Sequence, residues 1–253
     1  AVFLKAKLVC IHVGEHTPEK EKTVNTLISE CDYAFSSFKL IFSPGDPVKE
    51  ILSQIKIQQI QLLILGALQK ENIYRFYVGS IARKITRKAS CSVLLLIKPS
   101  IKRVPCRHIV ANGLEDPCTV KTIQHAFWFA HCLHSERLTV VEEIKPKEVA
   151  IPVEDDRSLR KATLLKKKLR IRENKRVQKI IDAIPTDYKK GLAIKTQSIF
   201  GKRGYSIGHY AEVVRADLLV MNPPHKTGVL DRVFPHDIEH ILSDLPTDVL
   251  IVR

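Results

Sequence analysis

The sequence predicts an α/β fold with two tandem doubly wound domains, each built around a five-stranded parallel sheet. Short apolar runs alternate with longer helical patterns along the 253 residues. The runs are apolar at every position rather than at every second one, which is typical of strands that helices cover on both faces. The order of elements in the first half returns in the second half, which indicates an internal duplication.

The first half alternates strands and helices in the order β-α-β-α-β-α-β. We predict strands at 7–13, 38–43, 62–67 and 92–98, and helices at 17–31, 47–58 and 79–89. The helix at 47–58 has the clearest start, because Asp46 can accept a backbone hydrogen bond as its N-cap and Pro47 suits the first helical position.

The second half repeats this pattern and adds a strand at its beginning. We predict strands at 107–113, 137–144, 192–200, 217–222 and 247–253, and helices at 117–134, 155–184, 205–215 and 235–244. The segment 98–107 contains two prolines and four basic residues, which is typical of a linker. The predicted domains are therefore residues 1–100 and 101–253.

The first domain has no counterpart of the strand at 107–113 or of most of the helix after it. The first strand of a doubly wound sheet lies in the middle of the sheet, so a domain cannot easily omit it. We expect that roughly 25–35 residues precede Ala1 in the native protein and complete the first sheet, a length taken from the matching part of the second half.

The composition excludes several classes of protein. With 45% hydrophobic residues the chain can bury a core, which excludes global disorder. The six cysteines form no C-x-x-C pair and several lie in apolar runs, which predicts reduced thiols rather than disulfides, and the ten histidines show no metal-ligand spacing. No apolar run approaches the roughly 20 residues that cross a bilayer. These features predict a cytoplasmic protein without a structural metal.

The net charge of +14 favours an acidic partner, and the basic residues are densest in the run 157–184. In one interpretation this helix packs on the sheet and exposes a solvated cationic face, and this is the one we favour. In a second interpretation it contacts an acidic partner or an anionic membrane surface. We do not expect nucleic-acid binding, because no nucleic-acid motif accompanies the charge.

Two short motifs accompany the order of elements: Gly45-Asp46-Pro47 before the second helix, and the spacing Gly66-x12-Gly79-Ser80 before the third. With these motifs the chain resembles the universal stress protein family in its tandem, two-domain form. The resemblance covers nearly the whole chain and is clearest at 39–99 and 192–253. The resemblance implies the adenine nucleotide alpha hydrolase-like fold. It also implies that the last strands of the two domains lie near each other, so that one chain forms a pseudo-dimer.

Members of this family that bind ATP carry the pattern Gly-x2-Gly-x9-Gly-Ser/Thr, whose backbone N–H groups and hydroxyl hold the phosphates at a helix start. The resemblance therefore implies Gly66, Gly79 and Ser80 as candidate nucleotide-binding residues, with ATP as the candidate ligand. The second glycine of the pattern is Gln69 in this chain. The alternative is that Gly66 ends a strand and that Ser80 helps to cap a helix.

The second half departs further from the family pattern. Its three glycine positions hold Asn222, His225 and Pro235, its hydroxyl position holds His236, and its first-strand aspartate position holds Asn112. Proline has no N–H group to offer a phosphate. We therefore do not expect the second half to bind ATP in the manner of the family.

The sequence contains no recognisable catalytic constellation: no G-x-S-x-G elbow, no Cys–His pattern and no Walker lysine. The favoured hypothesis is a non-catalytic stress-response or regulatory protein, with an unidentified protein partner or further self-association. One alternative is the cytosolic regulatory domain of a membrane transporter. Another, which we weigh less, is an enzyme that hydrolyses or transfers nucleotide phosphate.

Overall fold

The computed structural model describes residues 2–31, 38–69, 76–100, 102, 104–149, 151–223 and 237–253. The strands are β1 (Leu8–Val13), β2 (Phe38–Ser43), β3 (Leu62–Gly66), β4 (Leu68–Gln69), β5 (Phe76–Tyr77), β6 (Ser92–Leu96), β7 (His108–Asn112), β8 (Arg137–Ile144), β9 (Ala193–Phe200), β10 (Leu218–Met221) and β11 (Asp248–Ile251). The α-helices are α1 (Pro18–Ser29), α2 (Pro47–Ile57), α3 (Ser80–Lys88), α4 (Thr119–Leu133), α5 (Asp156–Asp182), α6 (Tyr205–Val213) and α7 (Asp237–Ser243). Short 3₁₀ turns lie at Pro146–Val149 and Thr186–Lys189. Apart from these turns and β4 and β5, the elements closely follow the predicted ones.

The second half forms the predicted five-stranded parallel sheet. Its strand order is β9-β8-β7-β10-β11, and every neighbouring pair in this order runs parallel. Strand β7 comes first along the chain and lies in the middle. The strand order therefore reverses between β7 and β10, and ligands of doubly wound sheets bind at such a switch point, beside the carboxyl ends of the strands.

The strands of the first half form two separate parallel pairs, β1 with β2 and β3 with β6. In the second half, β7 joins β8 to β10. Among the described residues of the first half no strand joins β1 to β3, which is the position that corresponds to β7. Within the described part of the first half, β1-β2 and β3-β6 are therefore not joined by a central strand.

The two halves share one sheet, because the last strand of each half pairs with that of the other. Strands β6 and β11 run antiparallel with Leu94 opposite Leu250, and this joins β3-β6 to the second-half sheet as seven strands. Backbone bonds extend the junction: Val78 donates to the carbonyl of Leu242 at 2.9 Å. The predicted proximity of the last strands thus takes the form of direct main-chain pairing.

A small hairpin, β4 and β5, lies between β3 and α3 where only a loop was predicted. Its register places Leu68 opposite Tyr77 and Gln69 opposite Phe76. The segment 70–75 between the two strands lies outside the described residues. Two-residue strands carry no readable hydrophobic period, which is why the pattern of apolar residues did not predict them.

Helices cover the seven-stranded sheet on both faces in the second half. Within β10, Leu219 and Met221 pack in a cluster with α6 and α7, whereas Leu218 and Val220 face α4 and α5. In the first half the cover is incomplete, and Ile64 of β3 is 49% exposed. None of the described helices is long and apolar enough to span a membrane.

Candidate functional site

The first candidate residue, Gly66, is the last residue of β3 and lies opposite Leu96 of β6. A Cβ atom on Gly66 would have no described atom within 4 Å. Packing in the described structure therefore does not require glycine here. As far as the described residues go, the space beside this backbone is open to an approaching group, as a phosphate cradle needs.

The second candidate residue, Gly79, is the N-cap of α3 and has extended backbone angles of φ −60° and ψ 163°. A Cβ atom on Gly79 would lie 2.9 Å from Cδ1 of Leu68. Since these angles suit any residue, a Cβ atom here would be opposed only by the end of the Leu68 side chain, which would have to shift. The start of α3 is thus in contact with an apolar side chain, at the place where the family pattern would put phosphate.

The third candidate residue, Ser80, is exposed at the first position of α3. The N-cap makes no side-chain hydrogen bond, and the first turn of α3 contains no acidic residue. The first N–H groups of the helix therefore have no acidic side chain of their own turn as acceptor. The glycine position of the pattern that holds Gln69 lies in β4, so its backbone belongs to the hairpin.

In the second half, three polar side chains fill the switch point at the ends of β7 and β10. Asn112 accepts the N–H of Leu114 at 2.8 Å through Oδ1. Asn222 donates from Nδ2 to Oγ1 of Thr119 at 2.9 Å, and the hydroxyl of Thr119 donates in turn to the carbonyl of Leu114. All three side chains are buried, with at most 8% of each residue exposed. These internal bonds engage polar groups at the crevice that a ligand would use, while Oδ1 of Asn222 has no hydrogen-bond partner among the described residues.

The turn after Asn112 is closed as well. A Cβ atom on Gly113 would lie 2.7 Å from Cγ1 of Val140 and 3.1 Å from the carbonyl oxygen of Val141. Arg176 of α5 donates from Nη2 to the carbonyl of Gly113 and from Nε to Glu173 at 2.9 Å. The degenerate positions His225, Pro235 and His236 lie outside the described residues.

Sequence reasoning missed the buried acids at the end of β8. Glu142 accepts a hydrogen bond from the hydroxyl of Ser198 at 2.6 Å, and its burial raises the pKa of its carboxyl group. Glu143 accepts the N–H groups of Gly204 at 3.1 Å and Ile207 at 2.9 Å, and so caps the start of α6. The sequence did contain a signal for them, because Glu142 and Glu143 are adjacent within the strand predicted at 137–144. Carboxylates that become buried in a sheet need hydrogen-bonding or charged partners.

Hydrogen bonds and ion pairs hold these buried acids in place. Each of the described buried glutamates at this end of the sheet is bonded to a serine, a helix start or an arginine. Among the described residues no group of three or more His, Cys, Asp or Glu could hold a metal ion. The described buried acids therefore take part in hydrogen bonds and ion pairs within the fold.

Comparison with known proteins identifies similarity in two ways. The model of the universal stress protein family matches residues 5–96. A universal stress protein from Archaeoglobus fulgidus DSM 4304 superposes with a TM-score of 0.65 at 14% identity, covering 98% of this chain and 86% of that chain. A putative universal stress protein from Pseudomonas aeruginosa UCBPP-PA14 superposes with a TM-score of 0.60 at 15% identity, covering 100% of this chain and 95% of that chain. No curated protein sequence matches. At these identities the two structures show a shared fold.

Proposed function

Because the model of the universal stress protein family matches residues 5–96, we propose that this chain is a non-catalytic regulatory protein of the stress-response type. Its two halves act as a pseudo-dimer within one chain, and nucleotide binding is lost in the second half and weak or lost in the first. Regulation then depends on association with a partner rather than on turnover.

The single observation that carries this proposal is the hydrogen-bonded group of Asn112, Thr119 and Asn222 at the second-half switch point. A ligand would have to displace bonds between buried polar groups, and each group left unpaired would cost about 1–3 kcal/mol. The second half therefore uses this crevice to stabilise its own fold.

In the first half, the contact between Leu68 and Gly79 supports the weak-binding part of the proposal. Phosphate at a helix start needs polar surroundings and close backbone approach, and a leucine side chain provides neither. The open space beside Gly66 leaves one side of the pattern accessible, so this half retains the greater capacity for a nucleotide.

Titration calorimetry of the chain with Mg²⁺ and ATP tests the proposal. We expect no saturable heat at ATP concentrations up to about 1 mM, which corresponds to about −4 kcal/mol of binding free energy. Saturable binding at micromolar ATP would overturn the loss of nucleotide binding. If such binding were unchanged by Gly79→Val, the first half would also be the wrong place for it.

A second candidate function, the cytosolic regulatory domain of a membrane transporter, is favoured by the exposed cationic face of α5. Fractionation of cells that express the complete gene product tests it. Recovery in the membrane pellet after a high-salt wash favours the transporter setting. Recovery in the supernatant favours a separate regulatory protein.

A further inference from the structure

Helix α5 carries a large share of the positive charge of this protein. Its 27 residues include eleven Lys or Arg and three Asp or Glu, so it contributes more than half of the net charge of +14. Helix α5 packs on the sheet through Ala162, Leu169, Glu173, Val177 and Ile181, all of them buried. The favoured interpretation from the sequence, a helix that packs on the sheet, describes this inner face. The outer face of α5 is exposed.

Four of the basic side chains of α5 are engaged by the protein itself. Arg172 pairs with Glu173 at 2.8 Å and with Glu148 at 3.2 Å, and Arg176 pairs with Glu173 at 2.9 Å. Lys166 and Arg170 lie over the ring of Phe200, 6.0 Å and 5.1 Å from its centroid. The other seven form no ion pair with the described residues: Arg157, Arg160, Lys161, Lys167, Lys168, Lys175 and Lys179.

These unpaired charges share one side of the helix with two apolar residues. Steps of three or four residues along α5 give the stripe Lys161, Leu164, Lys168, Ile171 and Lys175, and such steps keep side chains on one face. All five residues of the stripe are exposed. Leu164 is 57% exposed and Ile171 is 46% exposed. Lysines and aliphatic side chains therefore alternate along the stripe.

We propose that this stripe is a docking surface for an anionic lipid membrane. The lysines would lie at the level of the acidic headgroups, and Leu164 and Ile171 would enter the boundary with the acyl chains. The helix would lie parallel to the membrane plane, because its opposite side is fixed on the sheet. The stripe contains none of the candidate nucleotide-binding residues, and the proposal does not depend on whether a nucleotide binds.

The arrangement fits a lipid surface better than a nucleic acid. Contact with phosphate backbones needs cations only, and the exposed Leu164 and Ile171 would lie in the middle of that contact without a partner. Proteins that bind single strands add aromatic side chains on which bases stack, and 156–182 contains none. A surface on which lysines alternate with aliphatic side chains matches the headgroup boundary of a bilayer.

Vesicle sedimentation of the chain tests the proposal. We expect pelleting with vesicles of phosphatidylcholine that contain about 30% phosphatidylserine, and none with phosphatidylcholine alone. Raising the salt from about 20 mM to about 500 mM should release most of the bound protein, because exposed charges are screened within a few ångströms. The triple variant Lys161→Gln, Lys168→Gln, Lys175→Gln should bind roughly 100-fold more weakly, since each lysine near the surface contributes about five-fold.

The control removes three exposed lysines from other helices: Lys22→Gln, Lys49→Gln and Lys56→Gln. Equal loss of binding in both triples would overturn the proposal, because general charge would then explain it. Leu164→Ser with Ile171→Ser should weaken vesicle binding and leave binding to a nucleic-acid duplex unchanged. If the chain bound the duplex more tightly than the vesicles at equal salt, the partner of the stripe would be a nucleic acid and not a membrane. Failure of the wild-type chain to pellet at low salt would also overturn it.

Discussion

Arg83 of α3 donates a hydrogen bond from Nη1 to Oε2 of Glu239 on α7, with 3.0 Å between the two atoms. The two residues belong to different halves of the chain. Arg87, one turn further along α3, binds the other oxygen of the same carboxylate at 2.7 Å. The glutamate side chain is only 13% exposed, so the carboxylate is largely withdrawn from water. It therefore couples the last helices of the two halves beside the paired strands β6 and β11.

Replacing Glu239 by alanine should lower the free energy of unfolding by about 1–3 kcal/mol, because two partly buried guanidinium groups lose their charge-assisted partner. Urea denaturation measures the change. The control is Glu212→Ala, whose side chain is 65% exposed and lies 3.9 Å from His209. That substitution should change the free energy of unfolding by no more than about 0.5 kcal/mol. Equal effects would contradict a coupling role for Glu239.

Glu143→Gln tests the cap that β8 provides for α6. The carboxylate accepts two N–H groups at the start of the helix, and an amide can accept through its single oxygen only. We expect a loss of about 1–3 kcal/mol in the free energy of unfolding, since a buried donor is left without its acceptor. Glu136→Gln, directly before β8, removes an exposed carboxylate, 65% accessible, and should be nearly neutral. A neutral Glu143→Gln would show that water replaces the cap.

The elements of the fold were predictable because the signals are local. Asp46 was expected to cap α2 and does so, accepting the N–H of Lys49 at 2.9 Å. The polar contacts of the site were not predictable, because they join residues that are distant in the chain. Glu143 and Ile207 are 64 residues apart, and Asn222 and Thr119 are 103 residues apart. Such pairs form only when parallel strands bring their carboxyl ends together.

The candidate glycines also show that the sequence predicts local structure but not contacts made through tertiary packing. The spacing of Gly66, Gly79 and Ser80 was readable from the sequence, and it placed Gly66 at a strand end and Ser80 at a helix start, as the structure has them. That a leucine two residues beyond Gly66 would fold back onto Gly79 depends on the hairpin of β4 and β5. The contact between Leu68 and Gly79 could not be predicted from secondary-structure propensity, because tertiary packing determines it.

His108 should make stability dependent on pH. It is 4% exposed, its Nε2 lies 3.0 Å from Oγ1 of Thr139, and burial is the main cause that lowers its pKa. The unfolded chain then binds a proton more readily than the folded one, so the free energy of unfolding falls as the pH falls below about 6.5. When the pH is lowered from about 7.5 to about 5.5, the free energy of unfolding of the His108→Gln variant should fall by less than that of the wild type. Urea denaturation at each pH measures the difference.

The control for this pH dependence is His209→Gln, because that side chain is 62% exposed. It should keep the wild-type slope of stability against pH. If His108→Gln keeps that slope too, the neutral buried histidine is not its source.

Leu68 and Gly79 provide the sharpest test of why this loop keeps its glycine. The backbone of Gly79 is extended, so alanine can adopt it, and Gly→Ala then stabilises by about 0.4–1 kcal/mol through the unfolded state. A Cβ atom would press on Cδ1 of Leu68 at 2.9 Å, but that side chain is 52% exposed and can shift at some cost. We therefore expect Gly79→Ala to be nearly neutral alone, and to stabilise by about 0.4–1 kcal/mol in a Leu68→Ala background. Thermal denaturation of the four proteins measures this coupling. Equal effects in both backgrounds would show that the leucine does not require the glycine, and phosphate approach would regain its place as the reason for Gly79.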